Sequence, residues 1–313
     1  MDTVAVLMST YNGEKYIEEQ IRSILRQTGV DIFLIIRDDG SSDRTKEILE
    51  TNYSKYNNVK IIYGENVGVG NSFMDMLYDA PDAEFYAFAD QDDIWLENKL
   101  CKAIEKVNAE IEDENTPCLY GSNQMLIDGN GKQIGLKNKS NRDINIDTVN
   151  LIIRNCYAGC TMVFNRALKK MMSLDNVRPD KKYFETKLHD EWCVSFAQLV
   201  GKVIYDENSY MLYRQHENNV VGVKNAGKIK IIRRILQVCF GKRPVALAVH
   251  ASQLLESTKL LNIDENDEKI IYLFSKSNTL CGKLNIITDK DLIKKIKVNN
   301  GCIRLKVMLG CLE

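Results

Sequence analysis

The chain has 313 residues, 44% of them hydrophobic and 27% charged, with a formal net charge of −1. These are the proportions of a soluble globular protein with room for one large or two modest cored domains. The balance hides a split: residues 1–222 carry 25 Lys and Arg against 35 Asp and Glu, whereas residues 223–313 carry 17 against 8. An acidic body without a recognition motif argues against a nucleic-acid partner. The opening "MDTVAVLMSTYN" has no basic n-region and no long apolar h-region, and no apolar run approaches the roughly 18 residues of a membrane-spanning helix. Nine scattered cysteines form no paired framework and are expected as reduced thiols of a cytoplasmic protein.

The first hundred residues alternate strands with amphipathic helices. "VAVLMS" (4–9), "IFLIIR" (32–37), "VKIIYG" (59–64) and "EFYAFAD" (84–90) read as strands. "EKYIEEQIRSILRQ" (14–27), "DRTKEILETNY" (43–53, with Ser42 as N-cap) and "GNSFMDMLYD" (70–79) read as helices. The alternation predicts right-handed βαβ units and a mostly parallel sheet with helices on both faces. A helix is expected to begin near Glu97. The segment 119–135 then reads as strand–turn–strand around Gly129–Asn130–Gly131. Residues 137–150 are polar and expected to form a mobile loop, and strands at 158–164 and 202–216 with a helix at 190–201 complete an α/β body. Beyond about residue 227 only helical patterns follow, at 228–240, 246–261, 264–277 and 288–298. A boundary is placed at 222–227, between an α/β domain (1–222) and a basic C-terminal helical region (223–313).

Three strand ends carry unusual polar tips: "STYNGE" (9–14), "DDGSSD" (38–43) and "DQDD" (90–93). Any one of them could be turn and cap chemistry. Three together, at the carboxyl ends where open α/β sheets bind ligands, point to one site. Two carboxylates ~5 Å apart repel by roughly 3 kcal/mol at an effective dielectric near 20. A divalent cation reverses that sign. A few oxygen ligands suit Mg²⁺ or Mn²⁺, which often share the phosphates of a substrate, so the expected cargo is a metal–diphosphate. Asp90 and Asp92 flank Gln91 in a D-x-D pattern.

"STYNGEKYIEEQIRSILRQT", "IIRDDGSSDRT", "NVGVGNSF" and "FADQDDIWLENKL" together resemble the inverting family 2 glycosyltransferases of the GT-A fold, over about residues 3–222. "ADQDDIW", "LHDEW" and "YRQHENNVVG" are most similar to the rhamnosyltransferase branch, which builds bacterial surface polysaccharides from dTDP-rhamnose. The resemblance implies a nucleotide-sugar half over about residues 1–100 and an acceptor half over 101–222. It implies that Thr10, Tyr11, Asn12 and Glu14 line the base and ribose. Asp39, with Asp38 nearby, would hold the pyrimidine edge, and Asn66 and Gly68–Gly70 would pass near the nucleotide. Asp92 would ligate the metal, and Asp90, with Gln91, would meet sugar or ribose hydroxyls or join the metal shell. Inverting transfer needs a carboxylate to take the proton of the acceptor hydroxyl. The resemblance points to Asp190 for that role, with Glu191 as the alternative, both at a helix start. His216 would sit on the diphosphate or complete the metal shell, and Arg214 would offset phosphate charge. Tyr157–Gly159 would form acceptor floor. Trp95 and Trp192 are expected to pack rather than stack on sugar.

The implied partners are a nucleoside-diphosphate sugar and a glycan acceptor, lipid-linked in this branch. UDP-glucose, UDP-galactose or UDP-GlcNAc are the alternative donors. The basic residues Lys228, Lys230, Arg233, Arg234, Lys242 and Arg243 suggest peripheral contact with the inner face of an anionic membrane, against a solvated face or a homo-oligomer surface. Among rival classes, a nucleotidyltransferase wants a Gly-rich loop with Lys or Arg after the first strand, which "STYNGEKY" lacks. A receiver-like phospho-acceptor module ends near 120 residues, short of this chain. A catalytically dead, nucleotide-binding subunit conflicts with intact Asp92 and Asp190.

Overall fold

The structure is a computed structural model and describes residues 1–138, 147–153, 155, 157–216 and 246–296. Its first part runs β1 (Asp2–Thr10), α1 (Ile17–Leu25), β2 (Val30–Asp38), α2 (Thr45–Tyr53), β3 (Val59–Tyr63), α3 (Val69–Asp79) and β4 (Phe85–Ala89). The second part runs β5 (Ile94–Trp95), α4 (Lys99–Glu110), β6 (Cys118–Ile127), β7 (Gln133–Leu136), α5 (Thr148–Ile153), β8 (Val163–Asn165), α6 (Arg166–Met172), α7 (His189–Val200) and β9 (Lys202–Arg214). Four further helices are α8 (Ala246–Thr258), α9 (Glu265–Ser275), α10 (Leu280–Thr288) and α11 (Lys290–Lys295).

One nine-stranded sheet holds the body together, in the order β3-β2-β1-β4-β8-β6-β9-β5, with β7 hydrogen-bonded to β6. The pairs β3–β2, β2–β1, β1–β4 and β6–β9 are parallel, and β4–β8, β8–β6, β6–β7 and β9–β5 are antiparallel. The α/β class is therefore as the sequence predicts, with helices on both faces, but the mostly parallel arrangement is confined to the first four strands. Beyond β4 the sheet is mixed.

The two faces follow from the period of two along each strand. On β1, Ala5 and Leu7 face one apolar cluster with Phe73, Leu77, Phe164 and Trp192. Val4, Val6 and Met8 face the other, with Ile17, Ile21, Ile24 and Leu100. Each buried Leu or Ile contributes about 1.5–3 kcal/mol from area alone. The apolar residues of α1 recur at helical spacing, so one stripe is buried while Glu18 and Arg22 pair outside it.

The differences in detail have local causes. Ser42 does not cap α2; the Asp43 carboxylate takes the Thr45 amide (3.0 Å). In the segment expected to be a loop, residues 147–150 enter α5, whose Val149, Leu151, Ile152 and Ile153 are buried; residues 139–146 lie outside the described residues. The strand expected at 158–164 is a 3-10 turn (Gly159–Thr161) leading into the short β8. Helix α6 was not visible as a pattern, and the helix expected at 288–298 is preceded by α10 and breaks at Asp289. Leu247, Ala251, Leu254, Ile271, Phe274 and Ile286 of α8–α10 join the apolar cluster that holds Trp192 and Phe196. The 222–227 boundary, the 228–240 helix and its basic residues lie outside the described residues. Among the described residues, no helix is long and apolar enough to cross a membrane.

Candidate active site

The order 3-2-1-4 makes the β1/β4 junction a topological switch point, and the crevice beyond the carboxyl ends of those strands is where such sheets bind ligands. The loops after β1 and β2 are sewn together there. Asn12 takes a left-handed backbone (φ 50°), tolerated by a short polar side chain. Its amide donates to Ser41 Oγ (2.9 Å) and its side-chain oxygen accepts from the Ser42 amide (2.8 Å). The Gly13 amide donates to Thr45 Oγ1 (2.8 Å), and Glu14 accepts from the Arg44 amide (2.9 Å). Asp38 is fully buried and accepts from the Ser41 amide (3.0 Å). Asp39, also buried, accepts from the Val67 and Gly68 amides (both 3.1 Å) and from Arg37 (3.3 Å). Asn66 accepts from the Gly68 amide (3.1 Å), and Gly68 itself needs φ 82°. Tyr11, Asn12, Glu14, Asn66 and Gly68 are exposed along this rim.

Gln91 ties the rim to the acidic loop. Its Oε1 accepts from Thr10 Oγ1 (2.6 Å) and the Tyr11 amide (2.9 Å), and its Nε2 donates to the Tyr11 carbonyl (3.2 Å). A Cβ on Gly13 would displace the Gln91 side-chain amide from its present position. Asp92 Oδ2 lies 2.6 Å from His216 Nε2, and the His216 ring stacks on Tyr16 (5.3 Å between centroids, 25° between planes). Arg214 donates through Nε to the Asp92 carbonyl (3.0 Å) and through a terminal nitrogen to Glu19 (2.6 Å), with its guanidinium over Tyr16. At 4% exposure it braces this loop through the Asp92 carbonyl and Glu19.

Asp190 and Glu191, both in the first turn of α7, diverge. Asp190 Oδ2 accepts from the Gly159 amide (3.2 Å) and Oδ1 from the Glu191 amide (2.7 Å). Glu191 turns to Lys187, one helical turn back (2.8 Å). Burial and the adjacent Glu191 push the Asp190 carboxyl up to about 7. Burial and Asp92 push Asp90 up to about 7, and the charge on Asp190 adds to that rise. Asp90 is therefore within reach of the charges of both Asp92, on its own loop, and Asp190, at the start of α7. On the other side of the acidic loop, the Thr10 carbonyl takes the Asp39 amide (2.8 Å).

Besides Asp93, which belongs to the acidic tip but carries no role of its own in the sequence reading, Cys160, Lys99 and His189 lay beyond the sequence signals. Asp93 is buried with Oδ1 on the Arg214 amide (3.2 Å) and Oδ2 without a partner. One ligand atom each from Asp90, Asp93 and Cys160 lie within 4.8 Å of one another. Burial holds the Cys160 thiol well above its usual range, so it stays protonated, and within this group the oxygens of Asp90 and Asp93 are the ligands that suit hard Mg²⁺ or Mn²⁺; the expected ligands Asp92 and His216 pair with each other and are not part of it. The unpartnered Asp93 oxygen, beside these carboxylates, fits a cationic neighbour. Lys99 is buried with Nζ 3.5 Å from the centroid of the Trp95 ring, and burial brings it down to about 7. His189 is buried between Phe73 and Phe88 and against Gly159, with neither ring nitrogen partnered. Trp95 and Trp192 are both buried and pack rather than line the cleft.

Comparison with known proteins agrees with this geometry. Residues 5–172 match the family described as Glycosyl transferase family 2. The chain is 32% identical over 232 residues to the dTDP-rhamnosyl transferase RfbG of Shigella flexneri, covering 72% of this chain and 77% of that one. It is 30% identical over 182 residues to the Escherichia coli UDP-Glc:alpha-D-GlcNAc-diphosphoundecaprenol beta-1,3-glucosyltransferase WfgD, covering 58% and 67%. Among solved structures it is similar in fold to the mannosyltransferase PcManGT of Pyrobaculum calidifontis in complex with GDP-Man and Mn²⁺, with a TM-score of 0.53 at 13% identity over 97% of this chain and 78% of that one. A GT-A sheet, polar and acidic loops at the carboxyl ends of its strands and a family match over more than half the chain lead to one statement: this protein is a glycosyltransferase and belongs to glycosyl transferase family 2.

Proposed function

We propose that the chain is a metal-dependent, inverting glycosyltransferase. It moves a sugar, rhamnose from dTDP-rhamnose in the preferred reading, onto a lipid-linked glycan acceptor in bacterial surface-polysaccharide synthesis. The observation that carries the reading is the Asp190 carboxylate at the start of α7, held by the Gly159 amide and near enough to the acidic loop for its charge to be felt at Asp90. Asp190 takes the proton of the acceptor hydroxyl as that oxygen bonds to the anomeric carbon. The bond to the nucleoside diphosphate breaks with its electron pair on the departing phosphate, and the anomeric configuration inverts. Asp92, with Asp90 and His216, would hold Mg²⁺ or Mn²⁺, whose charge would offset that of the departing diphosphate. Asp38 and Asp39, with Thr10, Tyr11, Asn12, Glu14, Asn66 and Gly68, hold the nucleotide, and Gln91 locks the loop that carries Asp90 to the Thr10–Tyr11 segment. For Asp39, base binding means exchanging its Val67 and Gly68 amides, or the Arg37 contact, for the pyrimidine edge.

The rhamnose preference is supported by the 32% identity with a dTDP-rhamnosyl transferase. The 30% identity with a UDP-glucose enzyme favours a second donor class, UDP-sugars. A thermal-shift and hydrolysis screen of nucleotide sugars, with and without Mn²⁺, separates them. Stabilisation by dTDP-rhamnose alone is the expected result; stabilisation by UDP-sugars alone replaces the donor, and indifference to every nucleotide overturns the enzyme reading.

A further inference from the structure

The acidic cleft needs a positive group that can meet substrate phosphate, and the arginine suggested by the sequence is tied to Glu19. Lys137, the residue after β7, is an alternative that no sequence motif marks. Its backbone amide is fixed to the Gln124 carbonyl (2.9 Å), and its Nζ is held by Gln124 Oε1 (2.7 Å). Gln124 is itself 2% exposed, and its Nε2 donates to Cys160 Sγ (3.4 Å), which fixes the amide so that its oxygen faces Lys137. Cys160 in turn lies against Asp90 and Asp93. The ammonium also lies 5.7 Å from the centroid of the Tyr213 ring. Lys137 is an exposed residue, so its remaining donor capacity is open to a ligand, whereas Lys99 is enclosed under Trp95. The charge of Lys137 is felt at both Asp90 and Asp190.

Resting on the transferase reading above, we propose that Lys137, oriented by Gln124, is a phosphate-binding residue of the active-site cleft. An ammonium presented by a buried amide, beside carboxylates that would hold a cation, is suited to a diphosphate oxygen. Two sources share that chemistry: the diphosphate of the donor and the diphosphate of a lipid-linked acceptor.

The test uses the full chain with Mn²⁺ and compares wild type, Lys137→Ala, Lys137→Arg and Gln124→Ala, each checked for folding by circular dichroism. dTDP and UDP report the donor side. Geranyl diphosphate, read against geraniol, reports the acceptor side. The expected result is a loss of at least about tenfold in affinity for one of the two diphosphate classes in Lys137→Ala, the range of a lost charged contact. Lys137→Arg should stay within about threefold of wild type and Gln124→Ala should fall between. A loss for dTDP or UDP alone assigns the donor diphosphate; a loss for geranyl diphosphate alone, with geraniol unaffected, assigns the acceptor. Wild-type affinity for both classes in a folded Lys137→Ala overturns this proposal while leaving the transferase reading intact. Failure of wild type to bind any of these diphosphates overturns both.

Discussion

Asp92 Oδ2 and His216 Nε2 lie 2.6 Å apart across 124 residues of sequence, joining the loop after β4 to the segment that follows β9. His216→Ala is expected to cut turnover by about 10–100-fold, as loss of a metal ligand or of its orienting partner does. The melting temperature should stay near that of wild type, and the Mn²⁺ concentration for half-maximal rate should rise. Unchanged kinetics at every Mn²⁺ concentration would take His216 out of the site.

Asp190 and Glu191 are separated by their partners, one on the Gly159 amide and one on Lys187. Asp190→Asn should lower kcat by about 10²–10⁴-fold, whereas Glu191→Gln should cost much less. Because the Asp190 carboxyl is pushed up to about 7, the base is protonated and inactive below that pH. The rate should therefore fall on the acid side of about 7, by up to tenfold per pH unit, and Asp190→Asn should lack that limb. An equal loss in the two variants would reassign the base.

A Cβ added to Gly159 would sit 2.7 Å from His189 Nε2 and 3.5 Å from the Asp190 Cβ. Gly159→Ala should destabilise the protein by about 1–3 kcal/mol through overpacking. It should also shift the amide that holds Asp190, so kcat should fall more than the KM for donor changes. A kcat equal to that of wild type would separate this glycine from the chemistry.

Acid should unfold the protein through its buried histidines. Burial holds His189 and His250 neutral and brings both down to about 3, from an ordinary 6.5. His250 bridges Tyr183 (2.6 Å) and Ser195 (3.0 Å), so α8 is tied to α7 by that neutral ring. Below 6.5 the unfolded chain binds protons that the folded one refuses. Stability is therefore complete above 6.5 and lost as the pH falls toward 3, by up to about 1.4 kcal/mol per pH unit for each ring. Denaturant midpoints for wild type and His250→Gln across that window read the effect. Identical slopes in the two proteins would remove His250 as a source.

Chelation should abolish transfer, and Mn²⁺ with nucleoside diphosphate should restore it and raise the melting temperature. At 100-fold over Kd, the stabilisation is about 2.7 kcal/mol. Full activity in excess chelator would exclude the metal role of Asp92.

The sequence made the first ninety residues legible because β1, β2 and β4 are continuous apolar runs between amphipathic helices, and each acidic tip follows a strand. The mixed half was not legible. β5 has two residues and β8 three, too short to show a period of two, and their antiparallel partners lie far along the chain. Asp90, Asp92 and Asp190 were visible as clustered carboxylates. Arg214 was read as a free counter-charge because its partner Glu19 is 195 residues away. Gln124, Lys137 and Cys160 carry no motif and acquire meaning from packing across β6 and the turn before β8. Ser42 was chosen as a cap by residue type, while the Asp43 carboxylate was the better acceptor for the Thr45 amide.

The β9–β5 pairing has a consequence for how the molecule is made. β5 follows the acidic loop directly, and its two residues, Ile94 and Trp95, pair with Leu212 and Met211 near the end of β9. A nascent chain emerging from the ribosome can lay down β1–β4 early, but the buckle over that loop stays open until translation has passed His216. Contacts this distant in sequence are slow to close. Metal-binding competence should therefore arrive only once β9 has paired, so ribosome-arrested chains that hold β1–β4 but end before β9 should be blind to Mn²⁺.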